Sequence, residues 1–242
     1  MAKGPSYDDL RAALSSQYAV LVAAFADLDP AGPTDCEGWT VADLETHVAI
    51  TARGLGSVAE RRVDGPPTGG VTAWAQVTPD LAEQADAMAR AERLSLAPQA
   101  EAAVSALAEY PEDTVVEQVT GRHNLRDATV FRLIEGVVHG LDAGIAPDPT
   151  ALKLAVRELA KVLADKHPGK TVEVRVPPYA AVQCLGGPRH TRGTPPNVVE
   201  ADPIAFLRLC AGRERWADLV SDGRIRASGE RADLSALMPL LG

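Results

Sequence analysis

The sequence predicts a protein of two domains, an all-α four-helix bundle over residues 1–145 and an α+β domain over residues 151–242. The first observation behind this fold class is that the N-terminal part carries four amphipathic helical patterns joined by loops of moderate length. The second is residues 143–150 (AGIAPDPT), whose proline, aspartate and glycine content is typical of a linker. The third is that strand-like alternation, as in residues 171–176 (TVEVRV), becomes prominent only after this segment.

The length, composition and charge of the chain argue against several classes of protein. Its 242 residues, 46% of them hydrophobic, are enough to bury a substantial core. A formal net charge of −9 argues against nucleic acid or an anionic membrane as the main partner. The longest apolar run, residues 19–26, is well short of the roughly 20 residues that a membrane span needs.

The cysteines and the first residues of the chain bear on its compartment. The segment MAKGPSYDDL lacks the apolar core and the cleavage site of a secretion signal. The three cysteines, Cys36, Cys184 and Cys210, are widely spaced and form no C-x-x-C pair, so they indicate a reducing compartment rather than a disulfide framework. The sequence therefore predicts a cytoplasmic protein.

Start signals and apolar spacing define the helices of the first domain. Ser6 and Asp9 stand three residues apart, and so do Thr40 and Asp43, which is the spacing of a capping box. Pro98 is expected to break or restart the third helix. The helices are predicted at residues 7–28, 40–62, 78–109 and 124–143.

The second domain is predicted to mix helices and strands. A helix over residues 152–164 ends before Pro168, and a later helix carries Trp216. The strands are predicted at residues 171–176, 180–185, 198–200 and 223–229, and further helices at 203–210 and 234–241.

Three side chains of the first domain form a candidate metal site. Glu135 and His139 stand four residues apart on the predicted fourth helix, so they share one face. His47 lies on the second helix, about 80° from the centre of its buried stripe, where a cleft residue would lie. Two histidines and one carboxylate are a frequent ligand set of catalytic zinc, although the same set also suits iron, nickel or manganese. The spacing alone equally allows a weak ion pair between Glu135 and His139 on the surface.

Two further residues near these positions have alternative interpretations. Cys36, shortly before the His47 helix, can be a nucleophile, a fourth ligand or an ordinary loop cysteine; the last is favoured because no basic residue flanks it. Asp142, three residues after His139, can orient a ligand or simply lie on the helix surface. The remaining histidines lie in segments rich in helix breakers and are expected to be exposed: His123, His167 and His190.

The segment CEGWTVADLETHVA, residues 36–49, resembles the C-x-G-W-T-V-x-D-L-x-x-H segment of the mycothiol-dependent maleylpyruvate isomerase family. That family belongs to the wider DinB-like group of metal-binding four-helix bundles. The segment EGVVHG, residues 135–140, resembles the E-x-x-x-H-G segment of its last bundle helix. The resemblance implies that His47, Glu135 and His139 bind a divalent metal, usually zinc. Residues 197–241 are similar to the tail of sterol-carrier-protein-like domains, which fold as a small sheet covered by helices around an apolar groove.

The resemblance also implies an activity. In that family the thiol of mycothiol binds the metal as a thiolate and attacks an electrophilic carbon, which leads to S-transfer or to thiol-assisted isomerisation of a small electrophile. The alternative is a carrier of an apolar, sterol- or lipid-like ligand whose metal site is structural or vestigial. Arg224 and Arg226 alternate with Ile225 on a predicted strand, where they can meet an acidic substrate or be plain surface residues.

Overall fold

A computed structural model of the protein describes residues 4–187 and 197–241. The chain divides into two units, Met1–Leu152 and Lys153–Gly242, the first helical with one small hairpin and the second α+β. The predicted fold class, a helical domain followed by an α+β domain, is therefore confirmed. The domain limits drawn from the linker, 1–145 and 151–242, remain predictions. Among the helices of the described residues, none combines the length and the apolar character required to cross a membrane.

The first unit contains seven helices and one hairpin in its described residues. The helices are α1 (Tyr7–Asp27), α2 (Val41–Gly56), α3 (Val58–Arg61), α4 (Val71–Val77), α5 (Ala82–Ala91), α6 (Leu96–Glu109) and α7 (Leu125–Asp142). The hairpin consists of β1 (Val115–Gln118) and β2 (Gly121–Asn124), which pair antiparallel.

The four longest of these helices form the predicted bundle. Both α1 and α2 pack against α6 and α7. Each helix buries a stripe of apolar residues at helical spacing, as Leu10, Leu14, Leu21 and Phe25 do on α1. Burying this face stabilises each helix by about 1.5–3 kcal/mol per large apolar side chain, which is more than the intrinsic helix propensity of the residues supplies.

Three of the four predicted helix starts are confirmed in atomic detail. The Ser6 hydroxyl accepts the Asp9 N–H, and the Asp9 carboxylate accepts the Ser6 N–H, so α1 begins with a complete capping box. Thr40 and Asp43 form the same reciprocal pair at the start of α2. At the start of α7 the Asn124 Oδ1 accepts the backbone N–H three residues further on, at 2.8 Å. Each of the three caps therefore fixes the residue at which a helix of the bundle begins.

The predicted interruption of the third helix is present, and the helix restarts close to Pro98, at Leu96. The interruption covers residues 92–95, between α5 and α6. Pro98 lies in the first turn of α6, where a backbone N–H has no partner inside the helix and proline is therefore tolerated.

The second unit contains a four-stranded sheet and three α-helices in its described residues, and the first of these helices begins in the last residues of the first unit. The strands are β3 (Val172–Val176), β4 (Ala180–Cys184), β5 (Val198–Ala201) and β6 (Ile225–Ser228), and the helices are α8 (Pro149–Lys166), α9 (Pro203–Cys210) and α10 (Trp216–Ser221). The strand order is β4-β3-β5-β6, with β3 and β5 parallel and the outer pairs antiparallel. Alternate residues of β3 are buried, as the sequence pattern predicted.

The predicted closing helix over residues 234–241 is wrong. Only a short 3-10 turn, Ser235–Leu237, forms there. Pro239 has no N–H for a helix, and the N–H groups of Leu240 and Leu241 donate instead to the Cys210 carbonyl, both at 2.9 Å. The two leucines are buried in this arrangement, so the end of the chain is held by packing and by two hydrogen bonds to one carbonyl group.

Candidate metal centre

The bundle brings His47 of α2 next to His139 of α7. The centroids of the two imidazole rings lie 4.9 Å apart, with the ring planes at 80° to each other. Trp39, just before α2, covers the other side of His47 at a centroid distance of 5.2 Å. Both histidines are half-buried, so they line a partly covered site and are not surface residues.

Close packing between α1 and α7 places His139 and Glu135 within the bundle. Gly136 and Gly140 lie directly next to these two residues in the sequence and face α1. The buried Gln17 of α1 donates to the Gly136 carbonyl at 3.0 Å. A Cβ atom at Gly140 would lie only 3.0 Å from Leu21 Cδ2, so glycine is what allows this close approach. The positions next to the two glycines, Glu135 and His139, therefore lie on the adjoining face of α7.

Glu135 is paired with an arginine on its own helix. Its Oε2 atom lies 2.7 Å from Nη1 of Arg132, one turn earlier. Arg132 is buried, and its Nη2 also donates to Gln118 Oε1 of β1 at 3.4 Å. A buried guanidinium thus compensates the charge of the Glu135 carboxylate.

A second group of polar side chains surrounds the other ring nitrogen of His139. Nδ1 of His139 lies 3.0 Å from Oδ2 of Asp142, which is buried. The Cys36 thiol donates to the same oxygen at 3.1 Å, and its sulfur lies 4.0 Å from His139 Nδ1. Cys36, His139 and Asp142 are therefore close enough to share a metal ion, because their potential ligand atoms all lie within 4.8 Å of one another. Among residues 4–187 and 197–241, this is the group of three that meets the distance condition.

Burial sets the protonation state of His47. It lowers the pKa of this imidazole well below its usual value, and the charges of His139 and Arg132 lower the pKa further. His47 is therefore neutral at neutral pH and keeps a nitrogen lone pair, which a metal ligand requires.

The donor chemistry of these residues fits a divalent metal. His47 supplies a neutral imidazole, and the contact of Asp142 with Nδ1 of His139 leaves Nε2 of that ring for a metal. Glu135 supplies a carboxylate one turn before His139. The structure brings the two imidazoles together, while the Glu135 carboxylate lies against Arg132. The ligand set His47, Glu135 and His139 stays a prediction.

Sequence reasoning missed two contacts of this site. One is Arg132, although its spacing of three residues from Glu135 is a signal for a helical ion pair. The other is the hydrogen bond from Cys36 to Asp142, which joins two segments far apart in the chain. The structure also resolves the alternatives for Asp142, which is buried and contacts His139.

The prediction that His123 is exposed is wrong. The β1–β2 hairpin buries it against Phe131 of α7, and its ring nitrogens contact the Thr120 hydroxyl and the Gly69 carbonyl at 2.9 and 3.1 Å. His167 is partly exposed, and His190 lies outside the described residues.

The two arginines on either side of Ile225, Arg224 just before β6 and Arg226 within it, behave as surface residues. Arg224 is exposed and forms ion pairs with Glu214 and Asp222, at 2.7 and 3.3 Å. Arg226 is exposed as well. The surface interpretation therefore accounts for both side chains without a substrate.

Comparisons with known proteins match both parts of the chain. The family model described as mycothiol maleylpyruvate isomerase N-terminal domain matches residues 11–144, and the one described as bacterial SCP ortholog matches residues 148–240. None of the curated proteins compared with the chain matches it significantly.

Solved structures show the same fold. A crystal structure of the mycothiol-dependent maleylpyruvate isomerase covers 93% of each chain at 16% identity, with a TM-score of 0.59. A variant of that enzyme with one histidine replaced by alanine covers the same share at 15% identity, with a TM-score of 0.58. At such low identity the likeness establishes the fold alone. Because the N-terminal family model matches more than half of the sequence, the chain belongs to the mycothiol maleylpyruvate isomerase family, as its sequence predicted.

Proposed function

We propose that this protein is a metal-dependent enzyme that uses the thiol of mycothiol to isomerise a small electrophile. His47, Glu135 and His139 would hold the metal. The observation that carries the proposal is the juxtaposition of His47 and His139, two imidazoles from different helices whose rings lie 4.9 Å apart. Family membership and the printed activity of the similar structures support the choice of reaction.

Zinc is the metal that this donor set favours, because two nitrogen ligands and one carboxylate oxygen leave a position open in a tetrahedral site. A bound zinc ion stabilises a coordinated thiol as the thiolate, which is the nucleophile the reaction needs at neutral pH.

The residues of the chain hold and support this site. Asp142 accepts from Nδ1 of His139 and fixes the orientation of its ring. Arg132 compensates the charge of Glu135. Trp39 packs against the imidazole of His47, with the two ring centroids 5.2 Å apart. Its indole N–H donates to Asp86 of α5 at 2.7 Å, which keeps the ring in place.

The substrate class follows from the reaction. The similar structures are isomerases of maleylpyruvate, so we infer a conjugated cis acid of this kind as the substrate. Such an isomerisation forms a carbon–sulfur bond, allows rotation about the former double bond and then breaks the same carbon–sulfur bond. Atoms and electrons balance without an oxidant or a reductant.

Metal content and activity test the proposal together. The protein is stripped with a chelator, reloaded with zinc and assayed with mycothiol and maleylpyruvate, with His47→Ala and His139→Ala beside wild type. We expect isomerisation that needs both zinc and thiol, and loss of stoichiometric zinc in both variants. His167→Ala removes a partly exposed histidine of the second unit and is the matched control, expected to keep zinc and activity. Equal zinc content in all four proteins would overturn the site.

A second candidate function is a carrier of an apolar ligand. It is favoured by the match of residues 148–240 to the bacterial SCP ortholog model. In this case the second unit would bind a sterol- or lipid-like molecule, and the metal would be structural. A carrier is expected to bind a fluorescent fatty acid and to release it when an apolar competitor is added. Treatment with a chelator should not change this binding, and the protein should show no isomerase activity.

A further inference from the structure

We infer that Cys36 is a positioning residue of the proposed metal centre, whose thiol holds the Asp142 carboxylate so that Asp142 fixes the His139 ring. This inference rests on the proposed function, because it assigns a role to Cys36 toward a metal bound at Nε2 of His139. It departs from the roles of nucleophile or ligand that a cysteine near a metal suggests.

The first step of the argument is that one oxygen receives both contacts. Oδ2 of Asp142 accepts from the Cys36 thiol at 3.1 Å and lies 3.0 Å from His139 Nδ1. Because both donors meet the same oxygen, the thiol proton holds the carboxylate in the rotamer that faces the imidazole. A carboxylate in this position fixes the ring as the Nδ1–H tautomer and leaves the Nε2 lone pair for a metal.

The second step is that the segment carrying Cys36 is itself fastened to the end of α7. The Asp35 N–H donates to the backbone carbonyl of Asp142 at 2.8 Å. The Thr34 hydroxyl accepts the Cys36 N–H at 3.2 Å and contacts the Trp39 carbonyl at 3.0 Å. The loop thus presents the thiol in one place before any metal binds, as a preorganised supporting contact requires.

The third step concerns the alternatives for the sulfur. A nucleophilic cysteine is typically activated by a neighbouring lysine, arginine or protonated histidine. Here the Cys36 thiol donates to the Asp142 carboxylate, and Nδ1 of His139, 4.0 Å from the sulfur, faces the same carboxylate, so this imidazole is engaged with Asp142 and not with the thiol. A direct ligand role would require Cys36 to lose this proton and would remove the contact that orients Asp142.

Zinc affinity of four variants separates these roles. Asp142→Asn is expected to weaken zinc binding about 10- to 100-fold, the range found for residues that support metal ligands. Cys36→Ala removes the donor to Asp142 and acts one step further from the metal, so we expect a smaller loss of about 5- to 10-fold. Cys36→Ser keeps an O–H donor and is expected to bind zinc within about 3-fold of wild type. Cys184→Ala removes a buried thiol of the second unit and should cost stability without changing zinc affinity. Competition with a chromophoric chelator and a thermal melt of each protein give the two quantities.

The tautomer of His139 in the metal-free protein is a second readout. Nitrogen-15 NMR of the imidazoles should show the Nδ1–H form in wild type and in Cys36→Ser, and a mixture of tautomers in Cys36→Ala. Cys36→Ser binding zinc as weakly as Cys36→Ala would make the sulfur a ligand and overturn the inference. An unchanged zinc affinity in Cys36→Ala would overturn it as well. Wild type that binds no zinc would refute the proposed function and this inference together, whereas the previous two results refute the inference alone.

Discussion

Glu135 and Arg132 form a short ion pair on one face of α7, with 2.7 Å between Oε2 and Nη1. Arg132 is almost fully buried and Glu135 largely so, and the pair lies one turn before His139. Removing one charge of such a pair leaves the other charge buried without compensation. The resulting loss in the free energy of unfolding is larger than the stabilisation that an exposed ion pair provides.

We therefore expect Glu135→Gln to lower the free energy of unfolding by about 2 kcal/mol, because the Arg132 charge stays buried without its carboxylate. Urea denaturation of the metal-free protein measures this. Glu117→Gln is the matched control, because the Glu117–Arg122 pair is about half exposed on both sides. Its loss should cost less than about 0.5 kcal/mol. Similar losses in the two variants would mean that burial of Arg132 does not matter.

The glycine next to His139 gives a second prediction. Gly140→Ala would place a Cβ atom 3.0 Å from Leu21 Cδ2 and 3.4 Å from Gln17 Nε2. We expect a loss of about 1–3 kcal/mol, because the buried Leu21 side chain must shift within the packed interface between α1 and α7. Gly54→Ala in the last turn of α2 is the control, since its Cβ would meet nothing within 4 Å. Better helix propensity should make that variant up to about 1 kcal/mol more stable. Thermal melts of both variants should therefore shift in opposite directions.

The capping residue Asp43 predicts a dependence of stability on pH. Burial raises its pKa, but hydrogen bonds from Thr40 and the charge of Arg93, at 3.0 Å, outweigh this effect and lower the pKa below its usual value. A carboxyl whose pKa is lowered on folding contributes stability above its unfolded pKa, near 3.9, and loses it as the pH falls through the folded value.

We expect Asp43→Asn to be about 1 kcal/mol less stable than wild type at pH 7, because it loses the charge that faces Arg93 and the start of α2. The difference should shrink as the pH is lowered from 7 to about 2, because the wild-type carboxyl becomes protonated as the pH falls through its lowered pKa. Urea denaturation at both pH values measures it. A difference that is the same at both pH values would show that packing, and not the charge, accounts for the effect.

The sequence predicted the parts of the molecule that depend on local signals. The capping boxes at Ser6 and Thr40 each involve residues only three apart in the sequence, so these helix starts could be predicted without coordinates. The family segments likewise identified His47 and His139 as neighbours. The same reasoning left open whether Pro98 breaks or restarts the third helix, because proline is compatible with both, and the structure shows it in the first turn of the restarted helix α6.

Contacts between distant segments could not be predicted in this way. One example is the hydrogen bond from Cys36 to Asp142, and another is the burial of His123 of β2 against Phe131. Both contacts arise from tertiary packing, which the periodicity of the sequence does not encode. The end of the chain shows the same limit, because the predicted helix over residues 234–241 does not form and the distant Cys210 carbonyl accepts the N–H groups of Leu240 and Leu241.

Trp39 gives the centre an optical reporter of its own. Its indole ring lies 5.2 Å from the imidazole of His47 and is held in place through Asp86. A neighbouring open-shell metal ion quenches the fluorescence of an indole ring. Cobalt or nickel bound next to His47 would therefore lower the fluorescence of Trp39. Unlabelled protein can thus be titrated in a fluorimeter, and replacing Trp39 by phenylalanine would remove the signal.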